Sequence, residues 1–226
     1  MIVINKPSGL PCQQGSGVKQ SSVDQLLNKY LAGEGYLVHR LDKATSGLMC
    51  LAKTKQMATF LASNIKGVKK TYHALAVSPQ LIKPSESWVY QNSEMPVEFS
   101  LSNDAYDMRS YYQVLKTWAY DRESHMFSLS EGAGEIYSLL EMRLDTGKKH
   151  QLRLACANAL GAPIIGDRKY GYTQANDLFR KSFKYTATQE RQLLHDCLTL
   201  HSRELRVPTK PSHEAPLKNF TCDYST

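Results

Sequence analysis

Residues 39–47 read HRLDKATSG and residues 48–52 read LMCLA, so a charged loop runs directly into an apolar segment. A short, uninterrupted apolar run of this kind is typical of a buried strand. The Thr-Ser-Gly end of the loop is typical of a tight turn, and Asp42 stands between two basic residues. A loop fixed on a buried strand can hold an acid and a base in one geometry. Spacing alone also fits an ordinary turn with scattered surface charges.

The loop resembles the His-Arg-Leu-Asp-x-x-Thr-Ser-Gly signature of the RluA-type pseudouridine synthases. Further segments resemble other motifs of that family and follow in its order. They are NKPSGL (5–10), KTYHA (70–74), TGKKHQLR (146–153), PIIGD (163–167) with Tyr170, and LH (194–195). The resemblance extends from residue 2 to about residue 207, which is nearly the whole chain.

Composition is that of an ordinary globular protein. The chain has 226 residues, 42% of them hydrophobic and 22% charged, which is enough for one well-buried domain or two small ones. No apolar run approaches the roughly 20 residues that span a bilayer, so we expect no membrane partner. The net charge of +7 suggests a polyanionic partner, although many basic proteins bind no nucleic acid.

Cysteine usage indicates a reducing compartment. The five cysteines are odd in number and lack C-x-x-C spacing, which favours neither a disulfide framework nor a zinc site. Cys50 and Cys156 lie in apolar runs and are expected in the core. The first residues, MIVIN, read as a strand rather than as a signal or transit peptide. We therefore expect that a targeting segment has been removed or never existed, and we expect the protein in the mitochondrion or in the cytoplasm.

Apolar periodicity predicts alternating strands and helices, and the resemblance implies one fold for all of them. That fold is mixed α/β (α+β): a single pseudouridine synthase catalytic domain over 1–226, without an S4 domain, whose largely antiparallel, bipartite sheet is flanked by helices. We expect strands over 2–4, 48–52, 69–77, 110–117, 126–129 and 135–144, a closing strand pair over 194–200 and 204–207, and helices over 23–30, 54–66 and 150–160. Residues 78–108 are expected to be irregular, 166–190 a lid or RNA-facing loop, and 208–226 a loosely held tail.

The resemblance implies three catalytic residues. Asp42 is the catalytic carboxylate, with its role as nucleophile or base left open. Arg153 is its ion-pair partner, because a nearby guanidinium favours the charged form of a carboxylate in a water-poor pocket. Tyr72 stacks on the detached uracil. Taken alone, Arg153 could equally be a solvated helix residue and Tyr72 a packed core tyrosine.

Substrate-binding residues are also implied by the resemblance. Arg40 would fill the gap left by the flipped base, and Leu152 would contact the base from the other side. Lys148 and Lys149 stand where the family usually has Arg-Thr, and a lysine version of this loop also resembles eukaryotic mitochondrial members. His39 is expected to be structural, whereas Lys70 and His150 are expected at the substrate. Further candidate phosphate contacts are Lys6, Lys53, Lys69, Arg168 and Lys169.

The implied reaction is the isomerisation of uridine to pseudouridine in a structured RNA, and it needs no metal and no other cofactor. Ribosomal RNA is the preferred substrate and transfer RNA the next, with ribosomal assembly particles as further partners. The resemblance also implies a cleft across the middle of the sheet, and one alternative is a catalytically silent RNA-binding ribosome-assembly factor that uses this cleft. A glycosidase with paired carboxylates would need Asp145 or Asp167 to fold close to Asp42.

Overall fold

The computed structural model describes residues 1–15, 21–33, 35–82, 110–121, 126–128, 135–144, 146–182, 198–208 and 217–222. The chain divides into two compact units, residues 1–71 with 201–226 and residues 72–200. The strands are β1 (Ile2–Lys6), β2 (Tyr36–Leu37), β3 (Ser46–Ala52), β4 (Lys69–Ser78), β5 (Ser110–Asp121), β6 (Met126–Ser128), β7 (Glu135–Leu144), β8 (Leu200–Pro208) and β9 (Leu217–Thr221). The helices are α1 (Val23–Tyr30), α2 (Lys55–Ser63), α3 (Gln151–Leu154) and α4 (Thr173–Ser182), with a 3₁₀ turn over Ile65–Gly67 and a π turn over Ala155–Ala159.

The first unit is organised around β3. β1 and β2 pair antiparallel with it, β8 pairs parallel with it at Ser46 and Gly47, and β9 pairs antiparallel with β8. The side chains of β3 and β8 form an apolar core with α2, whose members are Leu48, Cys50, Ala52, Leu61, Val68, Leu205 and Val207. The uninterrupted apolar run after the HRLD loop is therefore a buried strand, as predicted.

The helices of the first unit begin where the sequence provides caps. The Ser22 N–H donates to the Gln25 side-chain oxygen at 3.2 Å at the start of α1, and the Thr54 hydroxyl accepts the Met57 N–H at the start of α2. Each arrangement satisfies N–H groups that have no partner within the helix. The bounds of α1 match the prediction because its apolar spacing and its cap agree.

The second unit contains a long antiparallel ladder of β5, β7 and β6. β5 pairs with β7 from Ser110 opposite Leu144 to Tyr120 opposite Glu135, and β6 pairs with the end of β5. Its apolar cluster includes Val77, Tyr120, Tyr137, Ile165 and Ala175. Apart from the β3–β8 pairing, the registers established here are antiparallel, so the mixed α/β class with a mainly antiparallel sheet is confirmed.

Four sequence-based predictions need correction or limits. Residues 166–190 are not simply a loop, because α4 occupies part of them. The predicted helix over 150–160 is a short α3 that continues as a π turn. The closing strand pair is β8 with β9, so 217–221 are held by a ladder rather than loose. Much of 78–108, and residues 194–197 with His195, lie outside the described residues.

None of the helices in the described ranges is both long enough and apolar enough to cross a membrane.

Candidate active site

The Asp42 loop is fixed by the segment that follows β1. The Lys6 ammonium donates hydrogen bonds to the carbonyl oxygens of Pro7, Leu10 and Lys43 at 2.9, 2.8 and 3.1 Å. The Gly9 N–H also donates to the Lys43 carbonyl, at 2.9 Å. Because these carbonyls come from two separate segments, one buried cation ties the NKPSGL segment to the HRLD loop.

Lys6 is therefore not a phosphate contact, and that prediction is wrong. Its side chain is 0% exposed. Burial lowers the pKa of Lys6 to about 8, although the neighbouring Cys12 and Asp42 act in the opposite direction. The sequence shows the charge of this residue but not the three carbonyl groups that converge on it. Lys6 acts on the candidate site through the backbone of the loop.

Two further contacts hold the middle of the loop. The Ser8 hydroxyl donates to the Ala44 carbonyl at 2.6 Å, and the Thr45 N–H donates to the Asp42 carbonyl at 3.1 Å. The second of these closes a turn over 42–45, whereas Ser46 and Gly47, which the Thr-Ser-Gly pattern assigns to a turn, already belong to β3. Leu41 is buried and exchanges contacts with the Cys12 thiol, whereas Asp42 itself is only half-buried. The backbone that carries the Asp42 carboxylate is therefore fixed on both sides.

The end of the loop has room for glycine only. Gly47 adopts φ +106°, in the left-handed region that side chains rarely occupy, and a Cβ there would overlap the backbone of Ser202. The close approach occurs where β3 and β8 run parallel, at the pairing of Gly47 with Ser202. The glycine of the HRLD motif therefore allows the loop to enter the sheet.

His39 is structural, as predicted. Its Nε2 accepts the backbone N–H of Cys50 at 2.9 Å, which places the proton of a neutral ring on Nδ1. Burial, together with the nearby Lys70 ammonium, lowers the pKa of His39 to about 3. The ring is therefore neutral at physiological pH and joins the start of the loop to β3.

This shift predicts that stability falls in mild acid. The folded-state pKa lies below the ordinary value of 6.5, so the stabilising contribution of neutral His39 is complete above about pH 6.5. It is lost as pH falls toward 3, at about 1.4 kcal/mol per pH unit. Urea unfolding at pH 7, 6 and 5 should show this slope in the wild type and lose it in His39→Gln. Equal slopes in both proteins would contradict the burial of a neutral ring.

In the second unit, Arg153 forms a bidentate ion pair with Asp167. Its Nε lies 2.7 Å from Oδ2 and its Nη2 lies 2.8 Å from Oδ1. The Asp167 side chain is 0% exposed and that of Arg153 only 11% exposed. The backbone N–H groups of Lys169 and Tyr170 also donate to Oδ1, at 2.9 and 3.1 Å. Arg153 is therefore not a solvated helix residue.

Asp167 remains ionised despite its burial. Burial alone would raise the pKa of Asp167, but hydrogen bonds from Arg153 and the two backbone N–H groups outweigh it and lower that pKa below the ordinary value. The Arg153 guanidinium carbon lies 5.1 Å from the centre of the Tyr170 ring, and the Tyr170 hydroxyl lies 3.0 Å from His150 Nδ1. Sequence reasoning did not assign Asp167 to Arg153, although the acidic end of the PIIGD segment was a usable signal.

The TGKKHQLR segment is held by a glutamine. The Gln151 amide oxygen accepts from the Thr146 hydroxyl at 2.9 Å and from the Lys148 N–H at 3.0 Å. The Gln151 amide nitrogen donates to the Ser110 hydroxyl at 2.9 Å, which ties the segment to β5. Lys148 and Lys149 remain exposed on this turn. The segment thus presents two cations from a fixed backbone.

The other predicted site residues differ in how far their side chains are exposed to solvent. Tyr72 and Leu152 are 5% and 4% exposed, whereas Arg40 is exposed and donates to the Gln13 amide oxygen at 3.0 Å. Lys70 is half-buried, and burial lowers its pKa. Asp42 belongs to the first unit and both Tyr72 and Arg153 to the second. The convergence of those three side chains therefore stays a prediction.

Other predicted chemistry concerns metals and a second acid. Within the described ranges, no group of three or more His, Cys, Asp and Glu side chains could hold a metal ion. Asp167 has both oxygens engaged by Arg153, which makes it a poor second acid for a glycosidase. Asp145 lies outside the described residues.

Comparisons with known proteins show which family the chain resembles. Residues 1–158 match the family model described as RNA pseudouridylate synthase. "Pseudouridylate synthase RPUSD4, mitochondrial" of Mus musculus is 33% identical, over 98% of this chain and 63% of that protein. "Ribosomal large subunit pseudouridine synthase C" of Rickettsia bellii is 37% identical, over 82% of this chain and 57% of that protein. "RNA pseudouridine synthase 4, mitochondrial" of Arabidopsis thaliana is 34% identical, over 76% of this chain and 39% of that protein.

A solved structure shows the same fold. "Human RNA Pseudouridylate Synthase Domain Containing 4" superposes with a TM-score of 0.64 at 26% identity, over 98% of this chain and 84% of that chain. The chain spans between 39% and 63% of the lengths of the three curated relatives above. The family match covers the anchored HRLD loop, β4 and the TGKKHQLR segment together. The chain therefore belongs to the RNA pseudouridylate synthase family.

Proposed function

We propose that this chain converts specific uridines of a structured RNA to pseudouridine, with ribosomal RNA as the preferred substrate and transfer RNA as the next. The observation that carries the proposal is the Asp42 loop: it matches the family signature and is held in one backbone geometry by the buried Lys6. A catalytic carboxylate needs such a fixed support, because a small displacement from the reacting atoms costs much of the rate.

In the proposed reaction the Asp42 carboxylate acts at the sugar while the bond between C1′ and N1 breaks and the base rejoins through C5. Arg153 pairs with Asp42 through charge-assisted hydrogen bonds that fix the carboxylate oxygens. A guanidinium carries five N–H donors, so pairing with Asp167 through Nε and Nη2 is compatible with a second carboxylate on Nη1. Asp167 would then orient Arg153 for that contact.

Tyr72 is proposed as the surface that holds the detached uracil. Stacking on an aromatic ring returns about 1–3 kcal/mol per base, which offsets the few kcal/mol needed to flip a base out of its stack. Leu152 supports the other face of the base, and Arg40 occupies the gap left in the RNA. Arg40 is exposed, as a group that enters an RNA stack must be.

RNA contact is proposed for the exposed cations of the second unit. Lys148, Lys149, Arg168 and Lys169 are all exposed. The first two lie just before α3, which carries Arg153, and the other two follow Asp167, the partner of Arg153. Lysines make less strict phosphate contacts than arginine because they lack its planar fork. Two relatives are mitochondrial by name, which supports the proposal that this chain acts in the mitochondrion, with the cytoplasm as the alternative.

A release assay tests the proposal. RNA labelled with tritium at C5 of uridine loses its label when C5 becomes bonded to the sugar. We expect time-dependent release from ribosomal RNA transcripts with the wild-type chain, with slower release from transfer RNA. RNA binding measured by filter retention without any release would instead favour the catalytically silent assembly factor, and neither binding nor release would remove both proposals.

A further inference from the structure

Cys222 lies in an environment that the other described cysteines lack. It follows β9, is half-buried, and its N–H donates to the Arg203 carbonyl at 2.9 Å. Its Sγ lies 3.2 Å from Nε2 of His201, and 3.7 Å from the Ser202 carbonyl oxygen. The backbone contact fixes the residue against β8, and the side-chain contact places a thiol directly on an imidazole nitrogen.

His201 is itself oriented from the other side. It is 3% exposed, and its Nδ1 lies 2.9 Å from the hydroxyl oxygen of Ser46. With Ser46 hydrogen-bonded to Nδ1, Nε2 is turned toward the sulfur. Nucleophile, base and orienting group within hydrogen-bond reach of one another form the arrangement that activates a thiol.

The remaining described cysteines show the contrast. Cys12, Cys50 and Cys156 are 5%, 1% and 0% exposed, and burial raises the pKa of each thiol. Such thiols are inert, because the thiolate is the reactive form and a reagent must reach it. Among the described cysteines, Cys222 alone combines partial exposure with a histidine nitrogen at hydrogen-bond distance.

We propose that Cys222 is a reactive thiol that forms a mixed disulfide with low-molecular-weight disulfides, with His201 as the base. His201 Nε2 takes the thiol proton, and the Cys222 sulfur attacks one sulfur of the small disulfide. A new S–S bond forms as the old one breaks. The cysteine sulfur is oxidised, and the departing thiolate is reduced and takes a proton. Glutathione disulfide is the probe, because it is a small disulfide and its negative charge favours its approach to a chain with a net charge of +7.

The test uses the full chain with Cys197→Ser, so that Cys197, outside the described residues, does not contribute. Native protein is incubated with glutathione disulfide at pH 7.0, and each cysteine is followed by peptide mass spectrometry. We expect Cys222 to react about threefold or more faster than the same cysteine in a synthetic peptide of residues 217–226. Cys12, Cys50 and Cys156 should stay unmodified over the same time.

Two variants separate base catalysis from simple exposure. His201→Gln keeps a hydrogen-bonding group but removes the base, and should reduce the Cys222 rate to that of the peptide or below. Ser46→Ala frees the ring and should give an intermediate rate. Cys50 is buried, so its modification would show that a variant has loosened the first unit. Cys222 rates are therefore compared only among variants in which Cys50 stays unmodified. A wild-type rate no higher than the peptide rate, or an unchanged rate in both variants, would overturn the proposal.

Discussion

Asp42→Asn should lower the initial rate of pseudouridine formation by about 10³-fold or more, while the protein remains folded. The amide has the same size as the carboxylate but can neither attack the sugar nor remove a proton, and positioned groups of this kind contribute about 10²–10⁴-fold. The loop itself should survive, because the carbonyl groups of Lys43 and Ala44 hold its backbone. Tritium release under single-turnover conditions measures the effect.

The matched control is Asp24→Asn in α1 of the same unit. Both variants remove one negative charge, which favours binding to the RNA phosphates, so any general gain in RNA affinity is the same in both. We expect it to keep the wild-type rate within about twofold. If Asp42→Asn retained a rate close to that of Asp24→Asn, Asp42 would not be the catalytic carboxylate. RNA binding should be similar in the two variants, which separates lost chemistry from lost binding.

The fold was predictable wherever local pattern and tertiary packing agree. β7 and α1 have the predicted bounds because each combines a clear apolar period with residues that start or end it. β3 was predictable from one apolar run, since six of its seven residues are buried. At these positions the side chains that define the period are also the ones that the tertiary structure buries.

The sequence does not predict α4, because polar side-chain contacts fix this helix in place. The side-chain oxygen of Asn176 accepts the Gly166 N–H at 2.7 Å, and its amide nitrogen donates to the Asp167 carbonyl at 3.2 Å. Asn is a poor helix former on propensity, so this stretch reads as a loop in sequence. The contacts that favour the helix come from the PIIGD segment, and periodicity cannot show them.

The contacts that support the candidate site could not be predicted from the sequence. The resemblance proposes Asp42 and Arg153 as site residues, whereas the ammonium of Lys6 and the carboxylate of Asp167 act through long-range hydrogen bonds that only the structure shows. A charge in a sequence is usually solvated, and only coordinates show that one is buried and paired. For that reason the sequence predicts a phosphate contact at Lys6 and gives Asp167 only as a possible second acid.

Asp167→Asn should reduce the free energy of unfolding by about 3 kcal/mol at pH 7, because it removes the buried Asp167 carboxylate from its bidentate pair with a largely buried guanidinium. Glu204→Gln is the matched control. The Glu204–Arg206 ion pair is similarly short at 2.8 Å, but the Arg206 side chain is 38% exposed, so we expect a loss of no more than about 1 kcal/mol. Urea unfolding of both variants gives the comparison. Similar losses in the two would contradict the special cost of the Arg153 pair.

The pH dependence of this effect identifies its cause. The folded-state pKa of Asp167 lies below the ordinary value of 3.8, so its stabilising contribution is complete above about pH 4 and is lost as pH falls through the folded-state value. The difference in unfolding free energy between wild type and Asp167→Asn should therefore stay constant from pH 7 to about pH 4 and narrow below it. Arg153→Met in the Asp167→Asn background should cost less than in the wild type, by about 1 kcal/mol or more. A difference that persists unchanged at pH 2.5, together with additive losses, would show that Asp167 stabilises the unit by packing instead of by charge.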